Sequence, residues 1–315
     1  MRVLVLGGYG AVGRPLVARL RAAGDTVLVA GRDRERADRV VDLGEAELAS
    51  YRDALAGIEV VVNASGAEDP RLAALAGAVG AAFVDVTASA EYVARLRDTE
   101  QPRPVIVDAG LAPGLTNLLA MAVYSPASGP IDLAVLLGAG EEHGAAATAW
   151  TYGLLGRRFP TADGLVRNFS RPKVFRLPEY GSRRMYRADF SDQHTLTREL
   201  EVPVRTYFAV DSRLATAGLA ALTWLPGAAR MPRGLHFPGT DQWLVLARPR
   251  SGPARWVRGR NQSQATALVA AAAVRRSAGL AAGVHPLHRV LALADFASEA
   301  DFEFGVSDAE PGSPR

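Results

Sequence analysis

The sequence predicts an α/β chain: an N-terminal doubly wound parallel sheet, with an α+β domain for substrate and dimerisation inserted into it. Three observations carry this. The chain opens on an apolar run, a glycine-rich turn and a helical stretch, all within Arg2–Leu20. Short apolar, β-branched runs then alternate with helical stretches as far as Asp108, the pattern of a parallel sheet covered on both faces. From Ile131 the pattern changes to longer strands and fewer helices, and a late helical stretch follows them. A length of 315 residues accommodates two domains. Their expected bounds are 1–125 for the first, 126–260 for the second, 261–300 for helices packing back on the first, and 301–315 for a flexible tail.

The first strand, Arg2–Leu6, runs into Gly7-Gly8-Tyr9-Gly10-Ala11-Val12-Gly13 and then a helix through Pro15–Leu20. Gly8, Gly10 and Gly13 fit G-x-G-x-x-G in a strand–turn–helix frame, the fingerprint of a dinucleotide-binding Rossmann unit. Gly8 is expected to make the tight turn, Gly10 to leave bare backbone against a pyrophosphate, and Gly13 to let helix and strand approach. Tyr9, Ala11 and Val12 complete the loop, and the helix start adds free N–H groups and a positive dipole end.

The second strand, Thr26–Ala30, ends in Gly31-Arg32-Asp33-Arg34. An acid at this place selects the ribose 2′-OH of NAD, and an arginine suits the 2′-phosphate of NADP. Arg32 occupies it, with Arg34 and Arg36 behind, so NADP (NADPH) is the expected cofactor. A slip of one residue would put Asp33 there instead, and the arginines also read as solvated residues of a short helix.

Arg39–Leu43 reads as a third strand, Glu47–Ala56 as a helix and Ile58–Asn63 as a fourth strand. The fourth ends in Ala64-Ser65-Gly66, small residues that let a nicotinamide ribose come close. A helix at Arg71–Val79, a strand at Ala82–Val86, a helix at Ala90–Arg97 capped by Ser89, and a strand at Pro104–Asp108 follow. The turn after Asp108 lies at the carboxyl edge of the sheet, where ligands bind, and Gly110 and Pro113 count among the cofactor-binding positions.

Four stretches carry a family resemblance: the glycine loop, Val60–Gly66, Phe83–Thr87 and above all Ala109-Gly110-Leu111-Ala112-Pro113-Gly114-Leu115-Thr116-Asn117. They resemble the saccharopine dehydrogenase-like oxidoreductases, a group that includes saccharopine and carboxynorspermidine dehydrogenases. The resemblance covers the first 125 residues and returns around Thr266–Gly283. It implies an NADP-dependent reduction of a C=N or C=O bond in a small metabolite. The middle of the chain lacks the glycine-rich substrate-recognition segment of the lysine-pathway enzymes, which leaves the substrate open.

In that middle part, Ile131–Leu137 reads as a strand, Ala145–Leu155 as a helix, Val204–Val210 as a half-buried strand and Ser212–Leu225 as a helix. The stretch from Asp163 to Leu200 is polar, arginine-rich and aromatic-rich. Trp243–Arg248 and Ala254–Gly259 suggest a hairpin, and Gln264–Ala278 a last helix with Ser263 as its cap. Of five histidines, His194, two residues after Asp192, is the candidate; His194, Tyr186 and Asp192 are the expected catalytic residues, and Tyr152, Tyr186, Arg184 and Arg187 could grip a carboxylate or polar headgroup. Tyr186, Asp192 and His194 are expected to face Ala109–Asn117 across a substrate crevice. Each also reads as ordinary packing or surface polarity. Glu141-Glu142-His143 is a weaker candidate.

The exclusions are simple. No cysteine is present, which removes disulfides and thiolate chemistry. No G-x-S-x-G elbow and no Tyr-x-x-x-Lys pair occurs, the single lysine being Lys173. Metal-ligand spacing is absent, so no metal is expected. A net charge of +3 with scattered arginines disfavours nucleic acid. Without a leader or an apolar run of spanning length, no membrane is expected and the cytoplasm is the default place. A small-molecule substrate and a homodimer complete the expectation. Two other functions stay open: an enoyl reductase in lipid or polyketide tailoring, and an NADP(H)-binding sensor without turnover.

Overall fold

The computed structural model describes residues 1–140, 145–162, 164–228 and 239–307. In chain order the elements begin β1 (Arg2–Leu6), α1 (Gly13–Ala22), β2 (Thr26–Gly31), β3 (Arg39–Val40), α2 (Ala49–Ala54), β4 (Val60–Asn63) and α3 (Arg71–Ala78). There follow β5 (Ala82–Asp85), α4 (Ala90–Asp98), β6 (Pro104–Val107), α5 (Leu115–Val123), β7 (Ile131–Leu137) and α6 (Ala145–Gly153). Next come β8 (Arg158–Thr161), β9 (Gly164–Arg167), β10 (Ser170–Leu177), β11 (Gly181–Arg187), α7 (Ser191–Leu200), β12 (Val204–Val210) and α8 (Arg213–Leu222). The chain closes with β13 (Gln242–Pro249), β14 (Ala254–Arg260), α9 (Gln262–Arg276), β15 (Gly283–Pro286) and β16 (Glu303–Ser307).

The chain forms two compact units. The first comprises Met1–Gly114 and Ser263–Leu291, the second Leu115–Gln262 and Ala292–Arg315. The first holds a parallel sheet in the order β3-β2-β1-β4-β5-β6-β15. Up to β6 this is the doubly wound order of dinucleotide-binding folds, with its switch point between β1 and β4. The reason lies in the strands: β4, β5 and β6 are buried along their whole length, which suits a sheet covered on both faces. Ser89 caps α4, its hydroxyl accepting the Tyr92 N–H at 3.3 Å.

The second unit holds a mixed sheet in the order β10-β11-β12-β7-β13-β14-β16. Only β12 and β7 run parallel in it; the other pairs are antiparallel. Its core runs through Ala134, Leu136, Phe175, Met185, Leu244 and Leu246. Among the described residues no helix is long and apolar enough to cross a membrane.

Several expectations change here. β15, Gly283-Val284-His285-Pro286, is a seventh parallel strand that was not predicted, and α7 is a helix inside the polar, aromatic stretch for which no element was assigned. Ser263 lies within α9, which starts one residue earlier. α5 counts with the second unit rather than the first. The tail is not flexible throughout: Glu303–Ser307 pairs with β14 from Ala254↔Ser307 to Arg258↔Glu303. Residues 308–315 lie outside the described residues, as do Glu141, Glu142 and His143.

Candidate functional site

The carboxyl ends of β1 and β4 meet at the switch point of the first sheet. Gly7 makes the turn there, with φ +73°, and an added Cβ would lie 2.8 Å from the Ala64 carbonyl oxygen. This is the role expected of Gly8, which is instead confined by Val29 Cγ1 at 3.0 Å and the Val5 carbonyl at 3.1 Å. At Gly13 a Cβ would fall 2.1 Å from the Gly7 carbonyl oxygen, so helix and turn touch backbone to backbone. Gly10 differs from these three. Its backbone, like those of Gly8 and Gly13, is outside the left-handed region, and a Cβ would meet only the Gly7 oxygen, at 3.1 Å. Tyr9, Gly10, Ala11 and Val12 are half-exposed. α1 begins without a side-chain cap and without an acid in its first turn, which leaves the positive end of its dipole facing that opening.

Tyr9 organises the end of β2. Its ring lies so close to Gly31 that a Cβ there would sit 2.5 Å from Cε1, and its hydroxyl accepts the Asp33 N–H at 3.2 Å. The Arg36 guanidinium stacks on the ring 4.4 Å from its centre and donates to the Tyr9 carbonyl at 3.2 Å. Arg32 directly follows β2 and is exposed. Asp33 turns its carboxylate back onto the chain, Oδ1 accepting the Glu35 N–H at 3.0 Å.

The Ala64-Ser65-Gly66 loop is shaped by residues that sequence reasoning missed. Asn63 and Asp85 end β4 and β5 in register and are fully buried. Asn63 Nδ2 donates to Asp85 Oδ2 at 2.7 Å and to the Ala67 carbonyl at 2.8 Å. Its Oδ1 accepts the Ser65 hydroxyl at 2.7 Å. Thr87 donates its N–H, at 2.7 Å, and its hydroxyl, at 2.5 Å, to Asp85 Oδ1. Burial nevertheless outweighs these bonds and pushes the Asp85 carboxyl up to about 6. A polar residue closing an otherwise apolar strand, twice, was the available signal.

Gly110 and Pro113 belong to a closed loop. The Gly110 N–H donates to the Pro113 carbonyl at 3.0 Å, both residues are buried, and the Ala112–Pro113 bond is cis. Gly114 has φ +136°, and a Cβ there would lie 1.9 Å from the Gly110 oxygen. The Leu111 N–H donates to the Thr266 hydroxyl of α9 at 3.3 Å. Only Ala112 is partly open in this loop.

In the second unit the three expected side chains part company. Asp192 is fully buried in the first turn of α7 and accepts the Thr116 and Thr206 hydroxyls, each at 2.7 Å. It thus ties α5, α7 and β12 together. Tyr186 is half-buried on β11, opposite Phe208 of β12. His194 is partly exposed, with Nε2 2.6 Å from Asp189 Oδ1 and its ring edge-on to Phe159. His194 lines a cavity of about 270 Å³ together with Pro160, Thr161, Arg187, Arg198 and Arg205. Neither Tyr186 nor Asp192 lines it.

No protein-family model matches the chain, and no curated protein matches it. Solved structures do. A short-chain dehydrogenase/reductase superfamily protein from Agrobacterium tumefaciens, with bound NAD, is 26% identical over 34% of this chain and 37% of its own, with a TM-score of 0.24. A meso-DAP dehydrogenase mutant with DAP, from Clostridium tetani, is 11% identical over 95% of this chain and 99% of its own, at 0.47. An amine dehydrogenase from Mycobacterium smegmatis is 12% identical over 93% and 96%, at 0.45. The fold assignment rests on the strand order of the chain itself.

Proposed function

We propose that the chain is an NADP-dependent oxidoreductase of the saccharopine dehydrogenase-like type, reducing a C=N or C=O bond of a small metabolite. Gly10 carries the reading. At Gly7, Gly8 and Gly13 a Cβ would meet several of the chain's own atoms, whereas at Gly10 it would meet a single backbone oxygen, at 3.1 Å, beside an uncapped helix start. A residue kept bare beside such an opening fits a pyrophosphate better than it fits packing. The residues present therefore suit the dinucleotide. Gly8, Tyr9, Gly10, Ala11, Val12 and Gly13 would hold its phosphates, and Ala64, Ser65 and Gly66, with Gly110 and Pro113, would border its nicotinamide side.

The exposed Arg32, with Arg36 stacked on Tyr9, supports the 2′-phosphate, while Asp33 engages its Oδ1 locally with the Glu35 N–H. When bound, NADPH supplies the hydride. His194, whose Nε2 lies 2.6 Å from Asp189 Oδ1, is the proton donor in this reading, serving a substrate nitrogen or oxygen. Asp192 acts as a positioning residue for the turn that carries His194, and Tyr186 contributes to substrate contact. A homodimer belongs to the same reading.

Calorimetric titration of the full chain with NADPH and NADH tests this, followed by loss of reduced-nicotinamide absorbance with a panel of imines and carbonyl compounds. NADPH is expected to bind more tightly. Equal affinities, or tighter NADH, would contradict the cofactor choice.

A further inference from the structure

We propose, resting on the nucleotide reading above, that Tyr9 is a specificity-determining residue of the nucleotide site. It fastens the loop between β2 and β3 to the glycine loop and so holds Arg32 ready for a 2′-phosphate. Arg32 makes the phosphate contact in that reading; Tyr9 is the positioning residue that keeps Arg32 in place before the nucleotide arrives.

Tyr9 grips the chain on both sides of Arg32. Before it, Gly31 ends β2 against the Tyr9 ring, where an added Cβ would lie 2.5 Å from Cε1 and 2.5 Å from the hydroxyl oxygen. After it, the Asp33 N–H donates to the Tyr9 hydroxyl at 3.2 Å. Further along the loop, the Arg36 guanidinium stacks on the same ring 4.4 Å from its centre, and Nη2 donates to the Tyr9 carbonyl at 3.2 Å. One residue of the glycine loop, standing between Gly8 and Gly10, thus meets Gly31, Asp33 and Arg36. Arg32 is exposed in their midst.

The loop also closes on itself. The Asp33 carbonyl accepts the N–H groups of Arg36, at 3.3 Å, and Ala37, at 3.0 Å, and the Asp38 N–H donates to the Val29 carbonyl at 2.8 Å. These bonds set the shape of the turn, whereas the Tyr9 contacts set where it stands relative to the glycine loop. An exposed arginine on an unanchored turn must be ordered when its phosphate binds, and the cost falls on the 2′-phosphorylated nucleotide alone. Anchoring meets that cost in advance. Loss of the anchor therefore lowers the preference for a 2′-phosphate and leaves the backbone contacts of the pyrophosphate in place.

The test is calorimetric titration of the full chain with adenosine 2′,5′-bisphosphate and adenosine 5′-phosphate, which differ only in the 2′-phosphate, with NADPH and NADH alongside. The native chain is expected to prefer the 2′-phosphorylated member of each pair. Tyr9→Phe keeps the ring but leaves the Asp33 N–H without its acceptor, and Gly31→Ala drives a methyl group into the ring. Each should reduce the preference roughly three- to tenfold, the size of a restored ordering cost. Affinity for adenosine 5′-phosphate and NADH should stay within about twofold of native. Hydrogen exchange at the Asp33 amide, followed without nucleotide, should quicken in both variants, and Gly31→Ala carries the test if Tyr9→Phe fails to fold. A native chain that binds neither member of a pair overturns the nucleotide reading and this role with it. A native preference that survives in the folded variants, equal losses for both members of each pair, or Asp33 exchange as slow as in the native chain overturns the role of Tyr9 alone.

Discussion

β4 and β5 are apolar until their last residues, Asn63 and Asp85, whereas β7, β12 and β13 carry Asp132, Arg205, Thr206 and Arg248 inside the strands. The difference follows from the two sheets. A parallel sheet covered on both faces admits polar groups mainly where its strands end, so they gather at the carboxyl edge. A mixed sheet with unequal faces admits them along its length, and their place in the strand says nothing about a site. Polar groups in the first unit mark a location; in the second, only their partners do.

The sharpest way to break this comparison is at Gly13. Gly13→Val would drive a side chain into the Gly7 carbonyl, and a loss of about 4 kcal/mol or complete unfolding of the first unit is expected in thermal denaturation. A variant that melts like the native chain would show that the turn is not close-packed. In the second unit the matching test is Asp192→Ala. It leaves the Thr116 and Thr206 hydroxyls buried without their acceptor, and urea unfolding should show a loss of about 3 kcal/mol. An unchanged midpoint would mean that Asp192 does not tie the elements together.

Asp85 sharpens the comparison through pH. Its carboxyl is raised from an ordinary 3.8 to about 6, so the folded chain holds this proton after the unfolded chain has released it. The contribution to stability therefore falls as pH rises from about 4 to about 6 and is level above that, by about 3 kcal/mol in total. Asp85→Asn should remove this slope from the pH profile of unfolding. A native profile rising over the same interval would contradict the assignment. Smaller again is Arg32→Ala, which should weaken NADPH by about 1.5–3 kcal/mol and leave NADH unchanged. Equal losses for both cofactors would remove Arg32 from the 2′-phosphate.

The same contrast explains what the sequence made legible. The parallel strands, the α4 cap at Ser89 and the glycine loop were readable because each is a local pattern with a local cause. Gly7 took the turn expected of Gly8 because the loop of β4 presses on it, a contact between residues far apart in sequence. β15 was concealed because Gly283-Val284-His285-Pro286 carries little β signal and, among the described residues, pairs only with β6. The cavity beside His194 draws Arg187, His194 and Arg205 from three different elements, and no spacing in the chain announces it. Asp192, one of the expected catalytic groups, has its carboxylate turned toward α5 and β12 instead.

The claim that Gly10 is bare for a ligand's sake is tested most directly by Gly10→Val. A Cβ there meets only one oxygen, at 3.1 Å, so the variant should fold with a loss of about 1 kcal/mol. Calorimetry should then show NADPH binding to the native chain and none to the folded variant. Undiminished NADPH binding by folded Gly10→Val would contradict the account.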